Sequence, residues 1–354
     1  FVDKFDKQNP REKAGKFLLT SSSLSINNSV FRLTDENKET PIVLDFTELT
    51  ILATDFLISG PDIDANIKRL SFVDSSGLVL KNIETAFSYT PTKMLFSDLS
   101  IKTKSSLVSG NLQFDYQRED LNSFSDKVYI SGFFENSSLD LEEFNLLYDE
   151  FGANQKVQLN TAFSGTLKDL KFDEFNLKTN SNTSIIGKFH INELFESSLD
   201  GFLLDGEFDK ISSTYEDLAA LLPRVLGNTI PPGFNALGRF NMNGRAHITN
   251  ESIQAVMAVS TEIGSLFFDL NLDDLDLIDS ASYVGQIRFI DFNLGSAIGE
   301  PTIGLVTSSL DVVGSGFSKE SISCNINGGV SSFVFQDYTY SDLQVSGVVM
   351  DKVF

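Results

Sequence analysis

The chain has 354 residues, and 49 acidic against 27 basic side chains give it a formal net charge of −22. Such a surface repels nucleic-acid phosphates and offers anionic headgroups no basic patch, which argues against nucleic acid as a partner. With 41% hydrophobic residues, 32 Phe and 24 Gly the chain has the apolar surface to fold, and its one cysteine, Cys324, makes no intrachain disulfide.

The chain opens on Phe1 rather than Met and reads as an internal stretch of a longer protein, with residues 1–22 an irregular lead-in. No apolar run approaches the ~18–20 residues of a membrane helix. From residue 23 to 354 the dominant signal is two-residue alternation, which places successive side chains on opposite faces of half-buried strands. Val108, Leu112, Phe114 and Tyr116 share one face, with Ser109, Asn111, Gln113 and Asp115 on the other. Val128, Ile130 and Phe134 repeat the pattern, as do Leu159 with Phe163, Ile185 with Phe189, and Phe202 with Leu204. Further along come Phe240 with Met242, the trio Leu266, Phe268 and Leu270, and Ile287 with Phe289. Turn clusters such as Asn180-Ser181-Asn182 and Asn327-Gly328-Gly329 separate these segments. Roughly twenty strands are expected, most simply in an antiparallel meander some 85–95 Å long at about 4.8 Å per strand. The fold class expected is therefore mainly β, with one apolar face that something must cover.

Three stretches depart from alternation. Asp140 and Glu143 open a helical stripe of Phe144, Leu147, Tyr148 and Phe151. Ser213-Thr214-Tyr215-Glu216 forms a capping box ahead of Leu218, Leu221, Leu222 and Val225. A shorter piece spans 292–299. A strand with a glycine (Gly165, Gly244, Gly316) follows each, and the 79- and 72-residue spacings suggest loose repeats of about 75 residues, near 140–213, 214–290 and 291–354.

Chemistry-bearing constellations are sparse. His190 and His247 each fall on the polar face of a strand, with no second His at metal-ligand spacing and no Gly-x-Ser-x-Gly motif. The acidic run Asp269–Asp276 has Asp274 and Ser280 where a calcium loop needs Gly and Glu, and its alternating Leu makes it a strand. Gly314-Ser315-Gly316 reads as a bend, and Cys324 as a small buried hydrophobe. The expectation is a protein that is no enzyme, with no cofactor and no metal.

The stretch Asn325–Gly329 through Tyr338-Thr339-Tyr340-Ser341-Asp342-Leu343-Gln344-Val345-Ser346-Gly347 resembles the recurring rhythm of the TamB family, within the AsmA-like group, in its Bacteroidota-type members. Asp217–Pro223 followed by Gly238-Arg239-Phe240-Asn241-Met242-Asn243-Gly244, and Gly165–Leu170, are similar to it as well. The likeness runs from about residue 135 onward and is compositional before that. It implies a meander rolled into an open, taco-like β-groove with two or three short helices, lined by the alternating apolar residues named above. It also implies a periplasmic, inner-membrane-anchored bridge of a Gram-negative bacterium that conducts phospholipid acyl chains toward the outer membrane and works with a TamA- or BamA-like barrel protein, its anchor lying outside this segment. A scaffold or chaperone for outer-membrane barrel assembly would share that architecture; a secreted β-rich adhesin would show as many strands but close its core on itself.

Overall fold

The computed structural model describes residues 17–35, 42–75, 77–145, 151–193, 201–221, 223, 232–275, 280–316 and 321–350. It is mainly β, 73% strand, and its strands run as open antiparallel meanders. The chain divides into two units, residues 1–149 with 156–167 and residues 150–155 with 168–354.

The first unit holds β1 (Leu18–Asp35), β2 (Ile42–Ser59), β3 (Asp62–Asp74), β4 (Val79–Thr90), β5 (Lys93–Thr103), β6 (Leu107–Asp115), β7 (Tyr129–Asp140) and β8 (Lys156–Thr166). Each strand pairs with the next in the chain. The strand pattern thus begins at Leu18, inside the expected lead-in. The second unit holds β9 (Asp169–Thr179), β10 (Ser184–Asn192), β11 (Leu203–Ser213), β12 (Phe240–Thr249), β13 (Ser252–Thr261), β14 (Gly264–Asp273), β15 (Ser282–Asn293), β16 (Ile303–Ser315), β17 (Ser323–Phe335) and β18 (Tyr338–Met350), again paired in order. Tight turns set the register: Gln336 and Asp337 both take positive φ (49° and 62°) between β17 and β18, the backbone a two-residue hairpin loop requires.

Alternation alone does not describe these strands. Phe96 and Leu99 both sit on the apolar face, with Ser97 and Asp98 between them and a register shift at that point. Asp98 takes a left-handed φ of 51°, and its N–H donates to Asn111 Oδ1 on β6 at 3.0 Å. Asn136 does the same on β7 (φ 51°, N–H to Asn160 Oδ1, 2.6 Å), and Asp291 on β15 (φ 46°, N–H to Thr307 Oγ1, 3.0 Å). Each is a β-bulge in which an acidic or amide residue accepts the unusual backbone and a side chain on the next strand takes up the freed N–H.

Among the described residues four short α-helices interrupt the meanders: α1 (Phe124–Lys127), α2 (Leu141–Phe144), α3 (Tyr215–Leu221) and α4 (Leu294–Ile298), with 3-10 turns at Arg118–Ser123 and Pro232–Leu237. The expected helices at 140–151, 213–226 and 292–299 correspond to α2, α3 and α4; residues 146–150, 222 and 224–226 lie outside those described. α1 has no periodic apolar stripe to announce it. At α3 the first-turn N–H of Asp217 donates to Thr214 Oγ1 (3.1 Å), so the cap is one residue later than the capping box suggested. Ser213 is instead fully buried, its hydroxyl 2.6 Å from that of Thr183. α4 is capped by Asn293, which accepts from Ser296 N–H, and ends on Gly299 in left-handed conformation. Of the three repeat glycines, Gly165 and Gly244 lie within strands while Gly316 falls just past β16, so they do not hold equivalent positions.

α2 is fastened by Glu143. Its carboxylate accepts from Thr103 Oγ1 and Ser106 Oγ, both at 2.5 Å, and from the Ser105 N–H at 2.9 Å, tying α2 to the β5–β6 turn. Partial burial works against its charge, but these hydrogen bonds and the nearby Lys81 outweigh that and hold the carboxyl below its ordinary value. A lowered folded pKa stabilises the fold fully above the unfolded value of 4.5 and ceases to do so as pH falls through the folded value. Urea unfolding of wild type and Glu143→Gln should therefore differ most at neutral pH and converge in acid.

The bulges make a second prediction. Asn160→Ala removes the acceptor of the Asn136 N–H and should cost about 0.5–1 kcal/mol in urea unfolding, the scale of one net hydrogen bond. Asn136→Gly relieves the left-handed backbone and should cost less than Asn136→Val, which strains it.

Candidate functional site

Cross-strand partners in an antiparallel pair share a face, so the register traces the apolar surface strand by strand. In the second unit one row runs Gly244–Met257–Phe268–Ile287–Leu310–Gly328 across β12 to β17. Beside it run Ala246–Ala255–Leu270–Gly285–Val312–Ile326 and Met242–Val259–Leu266–Phe289–Ser308–Val330. A fourth row is Ile248–Ile253–Leu272–Tyr283–Gly314–Cys324. The rows continue through Ile211, Phe208, Gly206 and Leu204 of β11 to Ile185, Gly187, Phe189 and Ile191 of β10. Nine inter-strand steps from β9 to β18 make this face about 43 Å across at ~4.8 Å each.

The first unit carries a comparable face. Phe87–Phe96–Leu112–Gly132–Phe163 forms one row, and Tyr89–Met94–Phe114–Ile130–Gly165 another. Aromatic rings meet along it, Phe87 and Phe96 with centroids 5.0 Å apart and Phe134 and Phe163 at 5.5 Å. Gly132 gives Phe163 its place: a Cβ there would stand 2.4 Å from the ring.

The lining residues expected from sequence fall on these faces in two groups. In the first unit Val128 and Ile130 are buried, while Val108, Leu112, Phe114, Phe134, Leu159 and Phe163 are half-buried. In the second, Phe189 and Phe240 are buried, while Ile185, Phe202, Leu204, Met242, Leu266, Phe268, Leu270, Ile287 and Phe289 are half-buried. Phe202 stands one residue ahead of β11, and Val128 one ahead of β7. Sequence reasoning missed Leu99, Ile253, Met257, Phe292, Val306 and Val330, all buried but the half-buried Ile253. For Leu99 and Phe292 the available signal was an apolar pair three apart with Asp between, the bulge signature.

Hydrogen-bonding side chains are scarce in the four rows. The Tyr283 hydroxyl and Cys324 thiol lie against each other, and burial followed by this contact pushes the phenol well up. Tyr116, in the first unit, is raised to about 12 by burial and the neighbouring Tyr89. Ser308 is 3% exposed between Phe289 and Val330, and its hydroxyl has no hydrogen-bond partner.

The opposite face is polar. A cleft of about 500 Å³ across β9–β14 holds Lys171, Lys188 and Arg245 against Asp205, Glu207 and Asp269, with both histidines. His190 Nε2 lies 2.5 Å from Asp169 Oδ1, and His247 Nδ1 2.5 Å from Asp205 Oδ1. The charges balance in cross-strand pairs such as Lys188–Glu207–Arg245. Among the described residues, no three His, Cys, Asp or Glu side chains converge as a metal site. Asp269, Asn271 and Asp273 point outward from β14 while Leu270 and Leu272 are half-buried, as the alternation of the acidic run implies.

Comparison with protein-family models, characterised proteins and solved structures returns no match. The face itself is what remains to be interpreted.

The unpartnered hydroxyl gives a test of this environment. Ser308→Ala should leave stability unchanged or raise it by about 1 kcal/mol, because an unsatisfied buried polar group is removed. Ser213→Ala, which breaks the buried bond to Thr183, should lower stability by about 1–2 kcal/mol in the same urea titration.

Proposed function

We propose that the protein is a stretch of a periplasmic bridge of the TamB type, which conducts phospholipids between inner and outer membrane along the apolar face of its meander and so supports outer-membrane biogenesis. The observation that carries this reading is the face of β9–β18: apolar through four rows, open, and nearly devoid of hydrogen-bonding side chains. A lipid tail brings no donor or acceptor and asks for none. An extended peptide laid on this face would bring backbone N–H and C=O groups with nothing to pair, at a cost of order 1–3 kcal/mol each.

Burial of hydrocarbon gains about 0.8 kcal/mol per methylene, so two sixteen-carbon chains gain on the order of 25 kcal/mol gross. A bilayer offers the same gain. Net transfer from membrane to groove therefore sits near zero, which lets lipids enter and also leave. The bridge reading places a TamA- or BamA-like barrel at the outer membrane, an inner-membrane anchor outside this segment, and no catalytic chemistry in the chain. The adhesin alternative needs a core closed on itself, and a barrel-assembly scaffold would bind its clients at strand edges rather than on this face.

Phe268 tests the reading. It is half-buried between Met257 and Ile287, whereas its chain neighbour Asp269 is exposed on the polar face opposite Val256 and Gln286. Phe268→Asp should fold, losing about 1–2 kcal/mol rather than the ~3–5 kcal/mol of a fully buried aromatic, and should block lipid supply to the outer membrane, because a bare charge in hydrocarbon is strongly unfavourable. Asp269→Phe should leave transport intact. A folded Phe268→Asp protein that transports normally, or one that unfolds outright, would count against the groove.

A further inference from the structure

We draw no further inference here: the strongest candidate, the polar cleft of about 500 Å³ across β9–β14 that gathers both histidines, carries nothing, because its basic side chains stand against carboxylates, Lys171 beside Asp173 and Lys188 and Arg245 on either side of Glu207, and nothing in the structure shows what would occupy it.

Discussion

A sheet with one apolar face keeps that face only if every irregularity returns the alternation to the correct side. A slip of one residue would turn each following side chain over, and in strands as long as the eighteen residues of β1 and β2 irregularities are present. The chain meets this constraint with a repeated device. At Asp98, Asn136 and Asp291 an extra residue is pushed to the polar side in left-handed conformation, and Asn111, Asn160 or Thr307 on the following strand takes the N–H it exposes. Phe96 and Leu99 then share one face, as do Phe289 and Phe292. Everything proposed about the face depends on that correction.

The same device marks where the sequence was legible and where it was not. Segments without bulges, such as β13 and β14, show their burial directly: Ala255, Met257 and Val259 are buried while Gln254, Val256 and Ala258 are exposed. Where a bulge intervenes, strict alternation loses the thread. Phe292 was read as the first residue of a helix, when it is the last buried residue of β15, followed by the Asn293 cap of α4. The two left-handed residues of the β17–β18 turn are Gln and Asp rather than the Asn-Gly that announces such a hairpin. The helix at Phe124–Lys127 is four residues long, too short for a 3.6-residue period to be visible. The face of the candidate site was legible because burial follows polarity; its short helices were legible only where a cap residue preceded an apolar stripe.

The polarity of the two faces is set by different physics. On the outside, cross-strand pairs such as Lys188–Glu207–Arg245 place opposite charges opposite each other, and the two histidines each sit beside an aspartate. Such exposed pairs contribute little to stability individually, but they keep an acidic chain from repelling itself locally. On the inside there is almost nothing to pair, and Ser308 shows what that means: a hydroxyl between Phe289 and Val330 finds no acceptor. A surface of this kind discriminates against any ligand that brings its own unsatisfied polar groups and is indifferent among hydrocarbons.

Indifference has a cost in an open groove, because an apolar face that accepts any hydrocarbon also accepts another copy of itself or an unfolded chain. The short helices of the second unit reduce that hazard. By laying Leu218, Leu237, Leu294 and Ala297 over the strand ends, the chain satisfies part of its own face. The glycine at 152 and the anchoring by Arg239 hold the cover in place, with Gly152 allowing the chain to approach α3 more closely than any side chain would permit. The arrangement follows from where the helices interrupt the meander: after β11, before β12 and after β15, which the antiparallel register gathers on a single side.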